Sequence, residues 1–293
     1  HKSLQNAYEN LASALLYSGR LDENLAILDE MKHGSEGYDS RSSALAKRHL
    51  QLGEYHRAVD LLETRLMKSK PEETEFWYGG YYMLCFVLLQ IHDYPRLTEL
   101  CRLLLKAQGQ SANYYADVYA MLSIAKRRLI QGQISGNAIQ TDPPTHSTGF
   151  NELSQAEYYL SQMCNDPGRI QPLVLVAYAH YISGDLNRAI ELGEEALGIA
   201  VRNGARRQHF TEAVLLAEIS FRNHDMDSTR FFLTEAEGSL GHAPNINQQD
   251  LILFYYLKSV DKNVPEAERS ELLALSRQTL DAEYNQLRRD DLR

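Results

Sequence analysis

Cysteine is scarce. Cys85, Cys101 and Cys164 are the only three, an odd number at wide spacing with no CxxC. That excludes a disulfide framework and a cysteine-based zinc site, and it leaves buried free thiols in a reducing, cytoplasmic compartment as the plain reading. Proline (8) and glycine (17) are few for 293 residues, which disfavours a strand-and-turn architecture and favours long helices. No apolar run reaches the roughly 18 residues of a membrane span, and no signal peptide is visible. Positive charge is the minority: 30 Lys and Arg against 39 Asp and Glu give a formal net charge of -9. Such a balance argues against nonspecific binding to nucleic acid or to an anionic membrane. Basic residues cluster only at Lys126-Arg127-Arg128, at Arg202 with Arg206-Arg207, and at Arg288-Arg289, each expected to be a solvated helix face.

Catalytic signatures are missing as well. No HExxH, Walker, GxSxG or Rossmann glycine pattern occurs. His49, His56 and Glu54 lie near one turn, but their spacing does not put both imidazoles on one helix face. His180 falls at an interior packing position. Glu194-Glu195 and Asp290-Asp291 are consecutive, and adjacent helical residues do not face each other. No catalytic residue, metal or cofactor is therefore expected, and the chain reads as a binding protein and not as an enzyme.

What the sequence does contain is a repeat. A helical stretch, a turn and a second helical stretch recur, with the turns at Gly19, Gly53, His92, Gly132, Gly184, His224 and Asn263. Successive turns lie 34, 39, 40, 52, 40 and 39 residues apart, which predicts about seven helix hairpins. Seven residues before the turn the chain places Ala12, Ala46, Cys85, Ala125, Ala177, Ala217 and Tyr256, so six of seven are small where a second helix must approach. One residue earlier come Leu11, Leu45, Leu84, Ile124, Val176, Leu216 and Tyr255. Two after the turn, Leu21, Tyr55, Tyr94, Leu186 and Met226 can plug the hairpin. Five after it, Ala58 and Ala189 are small, while Asn24, Leu97 and Thr229 depart from the pattern. Nine after it, Leu28, Leu62, Cys101 and Leu233 are apolar and Gly193 departs.

On these residues the chain resembles the tetratricopeptide superfamily, whose pattern is W-x2-L-G-x2-Y, then A-x3-F, then P. The family Trp is absent, with Tyr8 and Tyr81 in its place, and the closing Pro is missing from most repeats. The resemblance implies an all-α, right-handed superhelical solenoid over 1–293. The spacing near 40 also resembles the stretched repeats of MalT-type bacterial regulatory domains, most closely at Gly184-Asp185-Leu186-Asn187-Arg188-Ala189-Ile190-Glu191. Residues 132–150, rich in Gly, Pro, Ser and Thr, are expected to be an insertion loop. A capping helix is expected over 265–293, with Leu272, Leu273, Leu275, Leu280 and Leu287 on its apolar stripe. His1-Lys2 at one end and helical sequence running to Arg293 at the other suggest a segment of a longer chain.

In the family, ligands contact first-helix residues on the concave side of the superhelix. Carried onto this sequence, that implies Lys47, Tyr82, Phe86, Tyr178, Tyr181 and Phe221, to which the aromatic opening of the fourth hairpin adds Tyr115 and Tyr119. The family's clamp for acidic C-terminal peptides needs Lys and Asn at several of these places, and only Asn6 and Lys47 supply them. An aromatic groove suits an apolar or extended peptide, because rigid rings give contact area at low entropy cost. The same rings can instead pack between neighbouring hairpins. The expected partner is a protein, a peptide or an effector held in the groove, with no nucleic acid and no membrane, as part of a larger regulator. The alternative is a structural subunit of a constitutive complex.

Overall fold

The computed structural model describes residues 2–17, 20–31, 40–66, 74–106, 110–136, 150–163, 167–241 and 246–291. Among them are fourteen α-helices, one 3-10 turn and no strand. In chain order the helices are α1 (Lys2–Tyr17), α2 (Leu21–Glu30), α3 (Ser40–Gln51), α4 (Tyr55–Leu66), α5 (Thr74–Gln90), α6 (Tyr94–Leu104), α7 (Ala112–Gly136), α8 (Phe150–Ser161), α9 (Ile170–Ser183), α10 (Leu186–Arg202), α11 (Arg206–Arg222), α12 (Met226–Leu240), α13 (Gln248–Val260) and α14 (Glu266–Asp291). No described helix is long and apolar enough to cross a membrane.

The turns follow from local chemistry. Helices α3 and α9 each end at a glycine in left-handed backbone, Gly53 (φ 74°) and Gly184 (φ 85°). At two further turns a histidine occupies that conformation, His92 (φ 61°) and His224 (φ 59°). The residue after the turn returns its N–H to the carbonyl five positions back: Glu54 to His49 at 2.9 Å, Asp185 to His180 at 3.1 Å and Asp225 to Ser220 at 2.9 Å. This is the 6→1 bond of a Schellman helix end. The same position opens the next helix. Asp93, Asp185 and Asp225 are N-caps that accept the N–H of Arg96, Arg188 and Ser228 at 3.3, 3.2 and 3.0 Å. Each such cap stabilises its helix by about 1 kcal/mol.

One turn lies elsewhere than the sequence indicates. Gly132 is inside α7, which continues to Gly136. A glycine costs a helix about 1 kcal/mol but does not end it when its neighbours remain helical. Of the expected insertion loop at 132–150, residues 132–136 and 150 are helical, and residues 137–149 lie outside the described residues. Conversely, Gly204 (φ 64°) makes an unforeseen turn of the same kind between α10 and α11, with Ala205 N–H bonded to Ala200 O at 2.9 Å.

The helices divide into two compact units, residues 92–278 and residues 1–91 with 279–293. In the smaller unit α1 packs on α2 and on α3, α3 on α4, and α4 on α5. Its core holds Ala12, Leu28, Met31 and Ala44, flanked by Tyr8, Ile27 and Leu45. Asn24, which breaks the small-residue pattern, is 1% exposed and donates its amide to Ala12 O at 2.7 Å. The close approach there survives because the larger side chain supplies a hydrogen bond. Gly80 meets Leu66, since a Cβ added to it would stand 2.9 Å from Leu66 Cδ2.

In the larger unit α7 packs on α6, α8 and α9, α9 on α10, α10 on α11, and α11 on α12 and α13. Ala125, Ala177 and Ala217, the small first-helix residues, are fully buried, as are Ala189 and Thr229 opposite them in the second helices. Gly193, a departure in sequence, has a physical cause: a Cβ added to it would lie 2.7 Å from Leu216 Cδ2. The first residues of α14 follow Pro265, and Leu272 and Ser276 are buried, Ser276 donating to Ile252 O of α13 at 3.0 Å. Leu275 and Leu280, expected on the same stripe, are exposed. At the seventh small-residue position Tyr256 is exposed, so the pattern ends there.

Enlarging a fully buried alanine tests this register. Ala177→Leu and Ala217→Leu are each expected to destabilise the protein by roughly 1–3 kcal/mol through overpacking. Chemical denaturation reads the loss, and unchanged midpoints in both variants refute the register.

Candidate interaction face on the first helices

Three first helices of the larger unit carry one connected row of polar and aromatic groups. On α7, Arg128 donates to the Tyr178 hydroxyl of α9 at 2.7 Å and stands 5.8 Å from the centre of its ring. Gln131, one turn on, donates to Ile182 O at 3.4 Å. Tyr178 and Tyr181, three residues apart on α9, have ring centres 5.9 Å apart. The Tyr181 hydroxyl donates to Glu218 Oε1 of α11 at 2.6 Å. Arg222, one turn beyond Glu218, pairs with it at 3.4 Å and lies 5.5 Å from the Tyr181 ring centre. Burial first, and then the bond to Glu218, push the Tyr181 phenol far above its ordinary range. It stays neutral at all ordinary pH and serves as a donor.

The rings are anchored from below. Tyr181 is buried with Ala189, Leu215 and Ile219, and Tyr178 packs partly buried against that cluster. The row therefore sits on a packed floor and does not need a ligand to order it. At its α7 end the ring of His92 stacks on Tyr94 at 5.7 Å. Burial of its packed side, then the Arg128 charge, hold the His92 imidazole below its usual pKa.

The other expected site residues fall in several places. Tyr115 and Tyr119 stack on Tyr159 of α8, at 4.9 and 5.8 Å between ring centres. Tyr119 is nine residues from Arg128, about two and a half helical turns, and so lies on the opposite side of α7. Phe221 packs against the core formed by α11, α12 and α13. In the smaller unit Tyr82 and Phe86 meet edge-to-face at 5.1 Å one turn apart on α5, and Lys47 is partly buried on α3. Of the eight, Tyr178 and Tyr181 belong to the connected row. Arg128 and Arg222 were not among the expected residues. Arg128 was visible only as part of a basic triplet, and its partner Tyr178 lies 50 residues away.

Two histidines elsewhere lie beside acids. His49 Nδ1 lies 2.5 Å from Glu54 Oε2. His180 is buried with Glu157 at 3.3 Å and Asp185 at 3.4 Å. Among the described residues no group of three His, Cys, Asp or Glu could hold a metal ion. Cys85 and Cys101 are buried, and Cys164 lies outside the described residues.

The short turns, the second helix packed back on the first, and the small residues buried where they meet define a repeat protein of tetratricopeptide-like helix hairpins. No protein-family model matches the chain, and comparison with characterised protein sequences gives no match. Among solved structures the chain is similar to two crystal structures of nearly identical TPR-like repeats from a Podosopora anserina protein proposed to be a kinesin light chain. Both are 18% identical, over 68% of this chain and 92% of that one, with TM-scores of 0.44 and 0.43.

Proposed function

We propose that this chain acts by binding, holding a peptide or protein segment against the face of α7, α9 and α11 as the interaction part of a larger regulator. The observation that supports this is the connected row Arg128–Tyr178–Tyr181–Glu218–Arg222, which crosses three helices. It offers rigid rings, fixed donors and a carboxylate on one preformed surface. Aromatic and arginine side chains of this kind carry most of the energy in protein interfaces.

A second reading has its own support. Tyr158 on α8, Val201 on α10 and Phe231 on α12 are 57%, 53% and 58% exposed. Large apolar side chains on three second helices suit a scaffold subunit whose second-helix side is permanently covered.

Affinity capture from native lysate separates the two readings, comparing the chain with a Tyr178→Ala, Arg222→Ala form of matched helical content. A partner held by the first and lost, by tenfold or more, from the second is the expected result. Equal capture by both removes the first reading and favours the second-helix side.

A further inference from the structure

The arginines of the larger unit differ in how their charge is met. Arg188 pairs with Glu157 and Glu191, Arg230 with Asp227 and Asp261, and Arg169 with Glu195. Arg128 is half-buried, yet its hydrogen-bonding partners are neutral: the Tyr178 hydroxyl at 2.7 Å and Gln131 Oε1 at 3.4 Å. Its Nε–H is buried with no acceptor. Among the described residues no carboxylate lies within ion-pair distance of it. A partly buried guanidinium without a counter-charge is costly, and its planar fork matches a two-oxygen anion.

The surroundings supply a second donor and no competing acid. Tyr178 accepts from Arg128, so its own O–H remains to donate. Tyr94 and Tyr181 are phenols held neutral, their pKa values raised first by burial. The Arg128 charge contributes to keeping His92 neutral too. The nearest acid in the row, Glu218, is occupied by Tyr181 and Arg222. On a chain with a formal net charge of -9, this leaves a fixed positive spot with the Tyr178 hydroxyl in contact with it.

We propose that Arg128 and the Tyr178 hydroxyl form a receptor for one oxyanion, a carboxylate or a phosphate group carried by the bound peptide segment. This rests on the proposed binding role of the α7–α9–α11 face and adds a charged anchor to it. The oxyanion takes the Arg128 fork through two N–H groups and receives the Tyr178 proton as a third bond. It also relieves His92 of uncompensated positive charge.

The test uses small probes on the full chain, so that it is independent of any partner. N-acetylglutamate methylamide, inorganic phosphate and the neutral N-acetylglutamine methylamide are titrated while the Arg128 Nε–H and the His92 ring protons are followed by NMR. The expected result is a saturable shift with at least one anion, with a dissociation constant on the order of 1 mM, and none with the neutral analogue. Arg128→Gln abolishes the anion-induced shift at His92, and Arg128→Lys retains a weaker one with the fold intact. A response to the carboxylate alone marks an acidic side chain or chain terminus as the source. A response to phosphate alone marks a phosphorylated side chain. No saturable shift with either anion, an equal shift with the neutral analogue, or an undiminished shift at His92 in the Arg128→Gln protein overturns the proposal. If partner capture is lost in the Tyr178→Ala, Arg222→Ala form while the probes give no shift, the face binds without an anionic anchor and only this inference fails.

Discussion

Phe210→Ala is expected to destabilise the protein by about 3–5 kcal/mol, the usual cost of emptying a buried ring site. Phe210 is fully buried on α11, its ring 5.5 Å from that of Phe254 on α13, and Phe232 closes the site from α12. Three helices contribute to this cluster, so no single one can collapse to fill the space. Phe231, adjacent to Phe232 on α12, is 58% exposed, and Phe231→Ala should change stability by no more than about 0.5 kcal/mol. At roughly 2–4 °C per kcal/mol for a unit of this size, the first substitution lowers the melting temperature by on the order of 10 °C and the second leaves it nearly unchanged. Equal melting of the two variants would show that α12 presents a different side to α11.

Glu212→Gln should give the largest pH-dependent change. Glu212 lies on α11 between apolar neighbours, 2% exposed, and its Oε2 has no hydrogen-bond partner. Burial first, then the charge of Asp250, push its pKa well above the ordinary carboxylate value. The folded protein therefore holds the proton more tightly than the unfolded chain does. Its stability is full below the unfolded pKa and declines as pH rises toward the folded one. Glutamine keeps the shape and removes the titration. The variant should melt above the parent at about pH 8, and the advantage should vanish by about pH 4, where the parent is protonated in both states. Asp250 is also raised by burial, but Thr211 donates to it at 2.7 Å and the Arg207 charge offsets part of the effect, so Asp250→Asn should gain less. A Glu212→Gln protein that melts lower by the same amount at both pH values would exclude this account.

Much of the hairpin pattern was legible because its signals are local. Gly184-Asp185-Leu186 states a left-handed stop, an N-cap and an apolar plug in three consecutive residues, and His224-Asp225-Met226 states the same with a less usual stop. Gly204 escaped notice because Ala205 follows it, leaving no capping side chain to mark the turn. Gly132 misled for the opposite reason: an isolated glycine looks like a stop, yet nothing after it caps a new helix, and α7 continues.

The candidate site was legible only where its residues share a helix. Tyr178 and Tyr181 stand three apart on α9 and could be placed on one side from spacing alone. Tyr115 and Tyr119 have a similar spacing, but which helix they turn toward depends on Tyr159, some 40 residues on, and spacing carries no such information. Arg128 read as one of three solvated cations, and only the arrival of α9 beside α7 separates it from Arg127 and Lys126. Glu212 did leave a trace, an acid inside the run from Phe210 to Leu216, where a helix buried on several sides has no wet position to offer.

The turns at 184, 204 and 224 fall at equal intervals along the chain and share one backbone geometry apart from the residue that occupies it. Residues 184–223 thus form a module whose two ends are interchangeable. A copying error that duplicated this stretch would join a helix to the same kind of turn it already meets. Its small residues would fall in step with those of the neighbouring hairpins, and the row from Arg128 to Arg222 would gain another rung. Growth of such a chain needs no new solution to the folding problem, so its length can drift in evolution while the geometry of each contact is kept.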